Sequence, residues 1–115
     1  SGGTFSATAN HIGFKIVISG DAANLYGTQA DGVTENATAS LTTLANTDTL
    51  YLIAISNGST DVKYYWRKNG GTLSAATTAT GNVPTANENI LSFFTDNQAN
   101  ANVVSCRLGG SSYER

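Results

Sequence analysis

The chain has 115 residues, a formal net charge of −2 and 12% charged residues against 40% hydrophobic ones. That length suits a single domain with a modest core, and a charged share of about half the usual ~25% disfavours a typical cytosolic enzyme. With no basic run longer than Arg67-Lys68, no nucleic-acid partner is expected.

Thr, Ala, Asn, Ser and Gly make up the charge deficit. These residues suit β-structure and turns, as in a β-sandwich or a repetitive extracellular or virion surface. No stretch approaches the roughly 18 apolar residues of a membrane-spanning helix, and there is no signal-peptide core, so no membrane partner is expected. Cys106 is the lone cysteine, which rules out an intrachain disulfide and argues against a cysteine-based zinc site. There is no Met, so Ser1 reads as a processed terminus or as the start of a piece of something longer. Residues 1–11 read as an extended arm or as the start of a longer chain, and residues 1–115 as one β-sandwich domain.

Period-2 alternation dominates. Residues 12–18 predict the first strand, with Ile12, Phe14, Ile16 and Ile18 on one face. Ser19-Gly20-Asp21 reads as a turn, residues 24–30 as a second strand, and Asp31-Gly32 as its stop. Residues 33–41 (VTENATASL) predict a Thr-rich, mostly polar strand, either an edge or half-exposed. Residues 49–56 (TLYLIAIS), the most apolar run, predict a central strand covered on both faces.

Asn57-Gly58 then signals a hairpin. Residues 62–68 follow as a strand with Val62, Tyr64 and Trp66 on the core face and Lys63, Tyr65 and Arg67 on the other. Asn69-Gly70-Gly71 turns the chain into a strand over residues 72–76, and residues 77–88 read as polar and irregular around Pro84. Two more strands are predicted at residues 89–96 and 102–108. Strands at this even spacing predict an all-β, antiparallel sandwich or jelly roll.

Catalytic inventories fail. His11 is the one histidine, placed at the start of a strand as a rim residue, and no GxSxG nucleophile elbow occurs. No two of the acidic residues lie two apart on a strand, the spacing that would bring a glycosidase pair together. No enzyme activity and no cofactor are expected. Asp96, Asn97, Asn100 and Asn102 offer oxygen ligands in one loop, but Asp and Asn fill loops for their turn preferences alone, so no metal site is assigned. Cys106 alternates with Val104 and Leu108 as a small buried hydrophobe. The sequons at Asn36 and Asn57 are expected by chance in so Asn/Thr-rich a chain. Tyr65, Arg67 and Tyr113 stand as the candidate contact surface, and Tyr26 and Trp66 join Tyr65 and Tyr113 as aromatics on which a sugar could stack.

Gly13-Phe14-Lys15, LYGTQADG (25–32), TLYLIAI (49–55), VKYYWRKNGGTL (62–73), NVPTANENI (82–90) and LSFFTDN (91–97) follow one another in an order that resembles the concanavalin A-like, laminin-G-like jelly rolls of tailed-phage virion proteins. The resemblance spans the chain from about Ile12 onward and carries no catalytic or ligand motif. The paired-Glu motif of the family's glucanases is absent. A full jelly roll of this family is longer upstream, which leaves the two sheets incomplete unless a neighbouring subunit or a further segment completes them.

The resemblance implies a structural virion protein, a capsid decoration or head- or tail-fibre domain. Such a protein assembles with itself and with other virion proteins, so the expected location is virion or extracellular. The alternatives are a carbohydrate-binding module or receptor-binding tip taking a glycan, and an adhesin-like domain of a cell surface.

Overall fold

The computed structural model describes residues 6–84. These residues form seven strands and no helix: β1 (His11–Ser19), β2 (Ala22–Ala30), β3 (Glu35–Ala37), β4 (Thr42–Leu44), β5 (Leu50–Ser56), β6 (Asp61–Lys68) and β7 (Thr77–Thr80). Both sheets are antiparallel. In the first, β2 pairs with β1 along one edge and with β3 and then β4 along the other; the second runs β5-β6-β7.

Glycine-bearing turns set the registers. β1 and β2 are joined by Gly20-Asp21, with Gly20 at φ 60° in the position that a type II′ hairpin reserves for glycine. The Asn57-Gly58 turn joins β5 to β6 as expected. The Asn57 side-chain oxygen accepts from the amides of Ser59, Thr60 and Asp61 at 2.9–3.0 Å, which satisfies the donors of the loop.

Three predicted elements are corrected. The single strand expected over residues 33–41 is two short strands around a bulge. From Thr28↔Ala37 to Leu25↔Thr42, β2 advances three residues while its partner advances five. Two residues are therefore extra, and the gap is bridged by Thr38, whose hydroxyl accepts from Gly27 N at 3.0 Å while its amide donates to Gly27 O. The strand expected over residues 72–76 does not form. Ser74 alone pairs with Trp66, through N to O at 2.9 Å and through its hydroxyl, and one extra residue then separates it from the ladder that begins at Thr77. The strand β7 consequently lies in a stretch read as irregular.

The third correction concerns the strand over residues 49–56 and Trp66. Among the described residues β5 is an edge, not the centre, and its Tyr51 and Ile55 are 52% and 55% exposed. On β1 only Phe14 reaches the core cluster; Ile12, Ile16 and Ile18 remain exposed. Trp66, assigned to the core, is half-buried on its inner face, with Lys68 Nζ 5.9 Å from its ring.

The core belongs instead to β2 and β6, the middle strands. Leu25, Ala30, Val62 and Tyr64 are fully buried, with Ala79 and Val83 beside them. Tyr64 links the sheets. Its ring meets Phe14 edge-on, centroids 5.4 Å apart, and its hydroxyl lies 2.9 Å from both Thr28 O and Gln29 Oε1. Burial of that ring contributes about 1.5–3 kcal/mol. It fits only because residue 27 is glycine, since a Cβ there would stand 2.5 Å from the ring's Cγ.

Gln29, also fully buried, donates through Nε2 to Gly81 O and Ala79 O, tying β2 to the end of β7. Asn36 Nδ2 donates to Thr80 O at 2.8 Å, so β3 is tied to β7 as well. On the other side β1 lies beside β5. The two sheets thus face each other in the manner of a β-sandwich, β1 over β5 and β3 over β7.

Candidate functional site

Two outward faces carry chemistry. The β5/β6 register sets Tyr51 opposite Arg67, Ile53 opposite Tyr65 and Ile55 opposite Lys63. Since Val62 and Tyr64 point inward, alternation turns all six of these residues outward. The predicted pair Tyr65 and Arg67 therefore does share one outer face, with Tyr65 half-buried between its neighbours. Arg67 stacks over the Tyr51 ring with its guanidinium carbon 4.8 Å from the centroid, a contact worth about 0.5–1 kcal/mol at an exposed site. The face is an apolar strip of Tyr51, Ile53 and Ile55 flanked by a row with two cations.

Sequence reasoning missed Tyr51 and Ile55, because so apolar a strand was expected to be covered on both sides. The available signal was parity: once Val62 is placed inward, the hairpin register turns residues 51, 53 and 55 outward. Tyr26 sits on the other sheet's outer face opposite Lys15. Tyr113, the Asp96–Asn102 oxygen cluster and Cys106 lie outside the described residues.

The outer face of the first sheet holds a polar chain of four groups. Lys15 Nζ reaches across β2 to donate to Glu35 Oε1, and Thr28 Oγ1 donates to the same oxygen at 2.7 Å. His11 Nε2 lies 3.0 Å from Thr28 Oγ1, and its Nδ1 lies 2.7 Å from Ala9 O, which can only accept. Partial burial works to raise the Glu35 carboxyl. The hydrogen bonds from Lys15 and Thr28 and the Lys15 charge outweigh it, so Glu35 ionises below the usual glutamate range.

The remaining shifted carboxylates are turn caps. The amides of Thr34 and Val33 hold Asp31 below its ordinary value, and the Ala45 amide with the Asn69 side chain does the same for Asp48. Burial pushes the Tyr64 phenol well above its ordinary value, so it stays a neutral donor inside the core. Among the described residues no three His, Cys, Asp or Glu side chains converge on one point as metal ligands. The sequon amides are engaged: Asn36 Nδ2 by Thr80 O, Asn57 Nδ2 by Thr60 Oγ1.

Chemically, the first sheet's outer face is self-satisfied, whereas the second sheet presents apolar and cationic groups outward. Comparison of the chain with family models, with curated proteins and with solved structures returns no match.

Proposed function

We propose that this chain is a non-enzymatic structural protein of a virion, a capsid decoration or fibre domain, built as a jelly roll and assembling through its β surfaces. One observation carries the reading. Large apolar side chains stand exposed on the edge strands of both sheets, with Ile16 at 52% on the inner face of β1 and Tyr51 at 52% and Ile55 at 55% on the outer face of β5. Exposed sheet edges and apolar patches are liabilities in a monomer and assets in an assembly. The engaged state of Glu35, Asp31 and Asp48 supports the non-enzymatic part, since each of these carboxylates already serves a structural hydrogen bond.

The test is electron microscopy of particles from the producing source, labelled with antibody raised against the chain. Regular labelling of heads or tails is expected. Particles that never label, while the protein accumulates elsewhere, refute the virion role.

A second reading, a glycan-binding surface, is favoured by the outward pair Tyr51 and Tyr65. Its competitor is Arg67, which already occupies one face of Tyr51. A glycan array read with wild type and with Tyr51→Ala decides the matter, and binding lost only in the variant would favour the glycan.

A further inference from the structure

The edge strand β1 differs from protected natural edges in its length, its regularity and its lack of proline. Such edges are short, bulged, interrupted by proline, or armed with a charge. β1 is nine residues long, pairs with β2 in unbroken register from His11 to Ser19, and contains no proline. Alternate residues along an antiparallel edge turn their N–H and C=O groups away from the neighbouring strand. Among the described residues no strand pairs with β1 on that side. Both faces of its second half are apolar and exposed: Ile16, Val17 and Ile18 are 52%, 43% and 43% accessible.

Charge decides what such an edge accepts. Lys15, the only Lys, Arg, Asp or Glu of β1, is drawn across β2 and neutralised by Glu35 on β3. Two copies of β1 can therefore lie side by side without the like-charge juxtaposition that destabilises facing strands. The outer face of the second sheet instead carries two cations, Lys63 and Arg67, so that stacking two copies of it concentrates like charge in one contact.

From these features we infer that β1 is the self-association edge of this protein and pairs antiparallel with β1 of a second copy across a two-fold axis near Ile16. Each four-strand sheet then continues into the other. Ile16 lies against its counterpart, and Val17 lies beside the counterpart of Lys15. The exposed Ile16–Ile18 segment is covered, and the open β1/β5 side of one sandwich abuts that of the other. This inference rests on the reading of the chain as an assembly protein and names the surface that the assembly uses.

A charge swap at Val17 tests it, because that side chain is exposed in the single chain and sits at the centre of the paired edge. Wild type, Val17→Lys and Val17→Glu are compared by sedimentation across micromolar concentrations, with circular dichroism confirming that each is folded. Wild type is expected to self-associate, and Val17→Lys to weaken that association by about tenfold or more. An equimolar mixture of the Lys and Glu variants is expected to associate more tightly than Val17→Lys alone. Amide exchange gives a readout independent of the variants: protection of residues 11–19 should rise with wild-type concentration.

Wild type that associates unchanged in both variants overturns the β1 assignment while leaving the assembly reading standing, and Arg67→Glu then asks whether the second sheet's face is used. A wild-type monomer whose β1 amides are protected at every dilution also overturns it, since something other than a second copy then covers the edge. A monomer with unprotected β1 amides overturns the inference together with the reading beneath it.

Discussion

The two sides of this sandwich are built on opposite plans. Where β2 and β3 face β6 and β7, polar side chains cross between the sheets: Gln29 to Ala79 O and Gly81 O, Tyr64 to Thr28 and Gln29, and Asn36 to Thr80 O. The edge strands β1 and β5, which lie side by side, instead carry large apolar side chains that stay exposed: Ile12, Ile16, Val17 and Ile18 on β1, and Tyr51 and Ile55 on β5. The polar side is closed and the apolar side is open. Burial here follows a strand's place in its sheet, not its hydropathy. The GTQA stretch of β2 is buried, with strands on both edges of β2 and Tyr64 of the second sheet against Gly27 and Gln29, while IVI of β1 is exposed because it lies at a margin. Among the described residues, buried polar side chains then become specific instead of costly, because each finds its partner.

The largest effect that can break this contrast is expected at Gly27. Its Cα sits flat against Tyr64, and a Cβ would meet three ring carbons at 2.5–2.7 Å. Neither side can yield, since Gly27 pairs in mid-strand with Phe14 and the ring is fully buried. Gly27→Ala is expected to cost about 1–3 kcal/mol by overpacking, and Gly27→Val more. Urea unfolding measures it. A Gly27→Ala protein with the wild-type midpoint would mean that the sheets are not seated as described.

Next in size is Gln29. Gln29→Leu keeps the volume but leaves Gly81 O without that donor and removes one acceptor from the Tyr64 hydroxyl. A loss of about 1–3 kcal/mol is expected, the cost of unpaired buried polar groups. Tyr64→Phe removes the same hydroxyl, so the double variant Gln29→Leu/Tyr64→Phe should lose less than the sum of the two, by about 0.5 kcal/mol or more. Strict additivity would show that the Tyr64–Gln29 bond contributes nothing to the closed side.

The β1–β2 hairpin, the Asn57-Gly58 hairpin and the inward set Val62 and Tyr64 were legible from turn residues and alternation, which are local signals. Strand order was not legible. Nothing in TLYLIAIS distinguishes an edge strand from a central one, because hydropathy reports tolerance of burial and not the number of neighbours. The Gly27–Tyr64 fit was equally hidden: it joins residues far apart in sequence through a packing distance that has no local signature. The bulges failed for a third reason, since Thr38 and Ser74 replace ladder bonds with side-chain bonds that alternation does not encode. Of the candidate site, Tyr65 and Arg67 followed from parity alone, while Tyr51 needed the register.

A smaller effect is expected on the first sheet's outer face. Glu35 ionises below its unfolded value of about 4.3. The stabilisation from its contact with Lys15 is therefore fully present above that value and disappears as pH falls through the lower, folded one. Asp31 and Asp48 are shifted in the same direction and add to the acid sensitivity. At neutral pH, Glu35→Gln should cost no more than about 1 kcal/mol, as for a partly exposed ion pair, with the difference shrinking in high salt. Thermal melts of both proteins from pH 7 down to pH 3 should converge at the acid end. A constant gap across that range would assign the Glu35 contribution to packing instead of charge.

The smallest effect should fall on the open side, and its smallness is the informative part. Ile55 has the hydropathy of a core residue but is 55% exposed, opposite Lys63 at the margin of its sheet. Ile55→Thr keeps β-branching and strand propensity, so its cost measures apolar burial alone. In the dilute chain that cost should stay within about 0.5 kcal/mol, the range of ordinary surface substitutions. A loss above about 1.5 kcal/mol at low concentration would mean that Ile55 is covered within the single chain, and the open side would then be closed. If the loss appears only as concentration rises, Ile55 is covered by association, and its burial belongs to the assembly and not to the fold.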